Sequence, residues 1–210
     1  MAITLDAKKV TTVKKWLGSG SIDIFGMPFA GKDTQGHRLG QLLNAPVLGG
    51  GDILRNSVIP HAVKDIMHAG LLIPTQDYLE IVLPYLSQTA FINRPLILSA
   101  VGRWHGEEAG VLEATAESNH PLKVVIHLEI SPQHVKDRWQ SEHIHIARGH
   151  RIDDTAEALN VRLEEYRQKT IPVINFYRDE NMLIEIDSSQ SISAVTITII
   201  DKLYEFSQII

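Results

Sequence analysis

The chain has 210 residues, no cysteine, and 20 Lys plus Arg against 25 Asp plus Glu, for a formal charge of −5. That length fits one sizeable domain with a real core. The missing thiols exclude a disulfide framework, a cysteine nucleophile and Cys-ligated metal centres, and the acidic balance gives no global positive field for nucleic acid or an anionic membrane.

The N-terminal stretch lacks the long apolar segment of a signal peptide, and no apolar run reaches membrane-spanning length. The expectation is a cytoplasmic monomer without nucleic-acid or membrane partners. The first predicted element is a helix over Asp6–Leu17, capped by Asp6, with Val10, Val13 and Leu17 as its apolar stripe. Gly18-Ser19-Gly20 breaks it. The run Ile22-Asp23-Ile24-Phe25 then reads as a strand, and Gly26-Met27-Pro28-Phe29-Ala30-Gly31-Lys32 follows at once, a G-x-x-x-x-G-K phosphate loop. Thr34 to Leu43 has the pattern of a helix. Strand, glycine-rich turn and helix N-terminus in that order aim backbone N–H groups at one point, with Lys32 as the mobile positive charge. Such an arrangement binds a nucleoside phosphate.

Further apolar runs at Ala45–Leu48, Pro95–Leu98, Val124–Ile130 and Met182–Ile186 predict strands. Ser131-Pro132 supplies an N-cap and a proline at the first helical position. Asp154-x-x-Glu157 resembles a capping box opening a helix through Lys169, with Leu159, Leu163 and Tyr166 on one face. Ser191 to Phe206 reads as a helix, although the run Val195–Ile200 makes strand the competing assignment. Strands alternating with helices imply an α/β fold, a parallel sheet covered on both faces, with ligands at the carboxyl ends of the strands.

Five arginines, Arg55, Arg103, Arg138, Arg151 and Arg162, fall at strand exits, helix starts or a polar excursion. Phosphoryl transfer needs positive charge around the phosphates more than acid–base help, so these five beside a phosphate loop point to that chemistry. The ordered segments resemble the adenylate kinase branch of the nucleoside monophosphate kinases, short-lid type. They are the loop Gly26–Gln35; Gly51-Asp52-Ile53-Leu54-Arg55; the stretch from Lys64 to Gly70, Ile73 and Pro74; Arg151-x-Asp153-Asp154 with Glu157, Arg162-Leu163, Tyr166 and Thr170-Ile171-Pro172; and Met182–Asp187.

The resemblance implies a P-loop NTPase fold in one domain over 1–210. Its core is a five-stranded parallel sheet, with a helical monophosphate-binding arm at about 49–78 and a short lid at about 140–152. It implies ATP-dependent phosphoryl transfer to a nucleoside monophosphate, AMP first, with Mg²⁺. ATP would be held by Gly26, Pro28, Ala30, Gly31, Lys32, Asp33 and Thr34. The acceptor would be held by Gly50, Arg55, Gly70, Ile73, Arg103 and Glu107. Catalysis would fall to Lys32, Arg103, Arg138, Arg151 and Arg162. His143, His145 and His150 crowd the lid and read as a solvated loop rather than a metal site, since His-x-His alone fixes no coordination geometry.

Four positions depart from the family pattern. Ser99-Ala100-Val101-Gly102-Arg103 keeps the acceptor arginine but has Ser99 where the family has a magnesium-holding aspartate. Asp33 stands where the family has a small residue, so the magnesium carboxylate is expected to have moved to Asp33, with Asp52. Glu107 replaces a glutamine that reads adenine, and Gly50 replaces a hydroxyl residue; an ionised glutamate only accepts, which suits guanine better. The readings left open are therefore a nucleotide-binding protein with weak or no turnover, and the same kinase fold with GMP or a pyrimidine nucleotide as acceptor.

Overall fold

The computed structural model describes residues 4–50, 61–68, 86, 88–144 and 155–209. Five strands, β1 (Ser21–Gly26), β2 (Val47–Gly49), β3 (Leu96–Ser99), β4 (Leu122–Glu129) and β5 (Leu183–Asp187), form one parallel sheet in the order β2-β3-β1-β4-β5. The chain leaves β1 through the helix at Lys32–Leu43 for the edge strand β2, while β1 itself is central, hydrogen-bonded to β3 on one side and to β4 on the other. The crevice at its carboxyl end is the ligand-binding position of an open parallel sheet. The predicted strands are all present, each with its ends within two residues of its apolar run.

The helices are α1 (Ala7–Leu17), α2 (Lys32–Leu43), α3 (His61–His68), α4 (Glu108–Glu117), α5 (Pro132–Ile144), α6 (Ala156–Glu165), α7 (Ile171–Asp179) and α8 (Ile192–Phe206). Successive strand side chains point to opposite faces. On one face Ile22, Ile24, Val124, Ile126 and Leu128 pack with Val13 and Leu17 of α1, Leu39 and Leu43 of α2, and Ile199 and Leu203 of α8. On the other face Phe25, Leu98 and Val125 pack with Val111 of α4, Tyr166, and Val173 and Tyr177 of α7. No helix among the described residues is long and apolar enough to cross a membrane.

Local chemistry sets the helix starts. Asp6 accepts from the Lys8 N–H at 2.8 Å, Ser131 Oγ from the His134 N–H at 3.2 Å, and Ser191 Oγ from the Ala194 N–H at 3.3 Å, each satisfying an N–H that no helical carbonyl reaches. The cap of α6 is Thr155, which accepts from the Ala158 N–H at 3.1 Å; the expected opening at Asp154 lies outside the described residues. The helix expected through Lys169 is α-helical only to Glu165 and continues as a π turn over Tyr166–Thr170. α8 is a helix despite its β-branched run, because Ser191 caps it and Val195, Ile199 and Leu203 enter the core from one face, while Thr196 and Thr198 satisfy their hydroxyls on the carbonyls of Ile192 and Ala194. Gln35 ties α2 to α8, donating to the Ile192 carbonyl and accepting from Thr196 Oγ1.

Of the expected arm, the described part contains the end of β2, Gly50 and α3. Asp52, Arg55, Gly70 and Ile73 lie outside the described residues. Of the expected lid, residues 140–144 continue α5 as helix, and Arg151, His145 and His150 lie outside the described residues.

Candidate active site

The phosphate loop leaves β1 at Gly26, where no side chain fits. A Cβ there would stand 2.8 Å from the Leu128 carbonyl oxygen and 3.0 Å from Ala30 Cβ, so the residue is fixed by the close approach of β4. The loop turns through Pro28 and Phe29, whose φ of 61° is strained for a residue with a side chain. Ala30 N–H bonds back to the Met27 carbonyl at 3.1 Å. Gly31 then starts α2 in the left-handed region, φ 95°, with no side chain capping the helix. The first amides of α2, at Lys32, Asp33 and Thr34, therefore face the crevice at a helix N-terminus, an anion site.

Two cations hold this loop from within the protein. Lys32 Nζ donates to the carbonyls of Gly26 and Met27, at 2.8 and 2.9 Å. Arg138, half-buried on α5, donates from Nη1 to the Phe29 carbonyl at 3.0 Å and from Nη2 to the Ser188 carbonyl just past β5. Arg138 thus fastens the strained peptide of Phe29 to the far edge of the sheet, and Nη1 lies 3.9 Å from where a Cβ on Gly31 would be. Arg162 lies on α6, half-buried, one turn before Tyr166.

Asp33 lies in the first turn of α2, and its Oδ1 accepts from Ser99 Oγ at 3.2 Å. Ser99 is nearly buried at the end of β3, opposite Ile24 of β1. The carboxylate of α2 and the hydroxyl at the strand exit are therefore one polar unit beside the phosphate loop.

Arg103 emerges from the loop that follows β3. Ala100 and Gly102 both have positive φ, 52° and 71°, and a Cβ on Gly102 would lie 2.5 Å from Val111 Cγ2. Thr170 Oγ1 donates to the Arg103 carbonyl at 3.1 Å, and Lys169 Nζ lies 4.1 Å from the centroid of the Trp104 ring. Glu107 is 2 % exposed, and its Oε2 accepts from the Trp104 N–H at 2.9 Å. The expected base-reading carboxylate is thus folded onto its own loop. Glu108, equally buried, accepts from the Gly106 N–H and pairs with His105 Nδ1.

Two features carry no mark in the sequence pattern. Asp23, in the middle of β1, has no exposed surface and accepts from the Val101 N–H at 3.1 Å. Burial pushes its carboxyl up to about 8, against the opposing pull of the Val101, Ile24 and Ala100 amides and the Arg103 charge. His127 of β4 is also buried; its Nε2 bonds to Tyr166 Oη at 2.7 Å, and desolvation lowers its pKa. Burial raises the Tyr166 phenol. His127, Glu129 and Glu185 place ligand atoms within 4.8 Å of one another, but the Glu185 oxygen nearest His127 already accepts from Arg178, which neutralises it.

The adenylate kinase family model matches residues 24–182. The adenylate kinase of Methanosarcina acetivorans is 32% identical over 204 residues, covering 83% of this chain and 94% of its own. That of Prochlorococcus marinus (strain AS9601) is 31% identical over 183 residues, covering 85% and 95%. That of Bartonella tribocorum is 31% identical over 181 residues, covering 82% and 94%. With the phosphate loop on the central strand, the Arg103 loop beside it and this similarity along most of its length, the chain belongs to the adenylate kinase family of nucleoside monophosphate kinases.

Proposed function

We propose that this chain transfers the γ-phosphoryl group of ATP to a nucleoside monophosphate, AMP in preference to others, giving two nucleoside diphosphates. The observation that supports it most is the phosphate loop itself. A strained carbonyl is pinned by Arg138, Lys32 is folded onto the loop, and the helix N-terminus faces the exit of β3, from which Arg103 projects. Lys32 exchanges its two carbonyl partners for donor phosphate oxygens when ATP enters. The amides of Gly31 to Thr34 bind the same phosphates, with Gly26, Pro28 and Ala30 shaping the cradle. Arg103 grips the acceptor phosphate, where a planar guanidinium binds two oxygens at once, and Arg55 is its proposed partner from the arm. Arg138, Arg151 and Arg162 surround the donor phosphates, and closure of the arm at 49–78 and the lid at 140–152 keeps water from accepting the phosphoryl group. Gly50, Gly70 and Ile73 line the acceptor base, and Glu107 holds the Trp104 amide next to Arg103. The transition state is loose, so stabilisation is electrostatic and no general base is needed from the protein.

The residues present fit a magnesium ion. A carboxylate one residue beyond the phosphate-loop lysine repels the phosphates unless a cation lies between them, and Ser99 keeps Asp33 turned to the strand exit. Asp33, assisted by Asp52, would hold the ion through water, and the ion would neutralise charge on the phosphate oxygens. The test is product formation from Mg-ATP with AMP, GMP, CMP, UMP and dTMP in turn. Diphosphate formed most rapidly from AMP supports the reading. Product with GMP or a pyrimidine nucleotide alone overturns the acceptor assignment, and nucleotide binding without product from any acceptor overturns the kinase.

A further inference from the structure

The segment that carries Arg103 is an improbable piece of backbone. Ala100 occupies the left-handed region, which an L-residue rarely adopts because its Cβ crowds the following carbonyl oxygen. Gly102 occupies it too, with no room for a side chain against Val111. Such a conformation persists only where its surroundings over-determine it. Three contacts do so here. Thr170 holds the carbonyl of Arg103, and Glu107 holds the amide of Trp104. Beneath the turn, Asp23 of β1 holds the amide of Val101, between the two left-handed residues.

The last contact is the unusual one. Asp23 is fully buried on the central strand, on the face that carries Phe25 and the second core. An apolar side chain at that position would complete the core without the cost of burying a polar group. Its acceptor oxygen serves a backbone N–H that the sheet cannot satisfy, because β3 has ended at Ser99 and Val101 is already in the turn. We infer that Asp23 is a positioning residue for the acceptor arginine: its carboxyl fixes the turn after β3 from below, and so fixes where Arg103 presents its guanidinium. The inference rests on the reading of Arg103 as the acceptor-phosphate clamp.

The experiment compares Asp23→Leu, Asp23→Asn and Arg103→Ala, each measured for kcat and for KM of ATP and of AMP. Leucine keeps the branching at Cγ, with somewhat more bulk, but leaves the Val101 amide without an acceptor; asparagine keeps an acceptor oxygen in the same place. Misplacing a clamp by about an ångström costs up to about a hundredfold in rate or affinity. For Asp23→Leu the expected result is a KM for AMP raised about tenfold or more, with KM for ATP within about twofold. Asp23→Asn is expected to restore both. Amide exchange at Val101 supplies a reading independent of turnover: protected in the parent and in Asp23→Asn, exposed in Asp23→Leu. If Asp23→Leu does not fold, Asp23→Ala takes its place. An unchanged KM for AMP, or equal increases for both substrates, in a folded Asp23→Leu overturns the positioning role while Arg103→Ala still raises KM for AMP. An Arg103→Ala enzyme with unchanged KM for AMP overturns the clamp itself, and the inference with it.

Discussion

Replacing Asp23 by asparagine should change how stability depends on pH, and the structure gives sign and size. The carboxyl sits near 3.8 in an unfolded chain and at about 8 in the fold, where burial outweighs the amides and the Arg103 charge that favour ionisation. A group whose folded pKa is raised adds stability that is complete below the unfolded value and is lost as pH rises through the folded one. Between those limits the folded protein holds a proton that the unfolded chain has released, and stability falls by about 1.4 kcal/mol per pH unit. Asparagine has no proton to lose and mimics the protonated acid in shape. Urea unfolding of both proteins at about pH 5.5 and about pH 7.5 isolates this group, because all other titrations cancel in the comparison. The parent should lose about 2 to 3 kcal/mol relative to Asp23→Asn across that interval, a shift of about 1 M in relative midpoint. Parallel pH dependences in the two proteins would show instead that Asp23 is ionised in the fold at neutral pH.

Three other perturbations read the site directly. Gly26→Ala places a methyl 2.8 Å from the Leu128 carbonyl oxygen, which cannot move without disturbing β4. Overpacking of that kind should cost about 1–3 kcal/mol in thermal unfolding and displace the phosphate loop, so Mg-ATP titration should show weakened binding. Arg138→Lys keeps the charge but cannot span the Phe29 and Ser188 carbonyls together, so KM for ATP should rise about tenfold while KM for AMP stays within about twofold. Asp33→Asn removes the charge that repels metal-free phosphates. By calorimetry it should bind ATP more tightly without magnesium and narrow the preference for Mg-ATP by about tenfold, and an unaltered preference would rule out Asp33 as the ion's carboxylate.

Much of this molecule is written locally. A strand, a glycine-rich turn and a helix start are adjacent in the chain, so the phosphate loop and its place on the sheet follow from residues 22–43. The same holds for α5, where Ser131-Pro132 announces the helix, and for α8, where the Ser191 cap and the core-facing stripe of Val195, Ile199 and Leu203 outweigh β-branching. What escapes sequence reading is chemistry that depends on distant partners. Asp23 interrupts an apolar run as any edge residue could, and the amide it serves is 78 residues away. Arg138 was legible as a phosphate-seeking arginine, whereas its grip on the Phe29 carbonyl joins residues 109 apart. Glu107 suits a base pocket as well as a loop, and only folding shows it turned towards Trp104. The π turn at Tyr166–Thr170 was invisible because its apolar spacing continues that of α6; its reason is tertiary, with Tyr166 bonded to His127 and Thr170 to the Arg103 carbonyl.

The proposed reaction is a direct transfer between two nucleotides at the loop that Lys32 and Arg138 hold. Its most direct test is incubation of the protein with AMP and Mg-ATP carrying a labelled γ-phosphoryl group, beside Lys32→Ala. Label is expected in the terminal position of the ADP formed from AMP, with almost none as inorganic phosphate, while in the variant transfer is lost and the label stays in ATP. Label released as phosphate or retained in ATP by the parent, or transferred equally well by Lys32→Ala, would contradict the proposal.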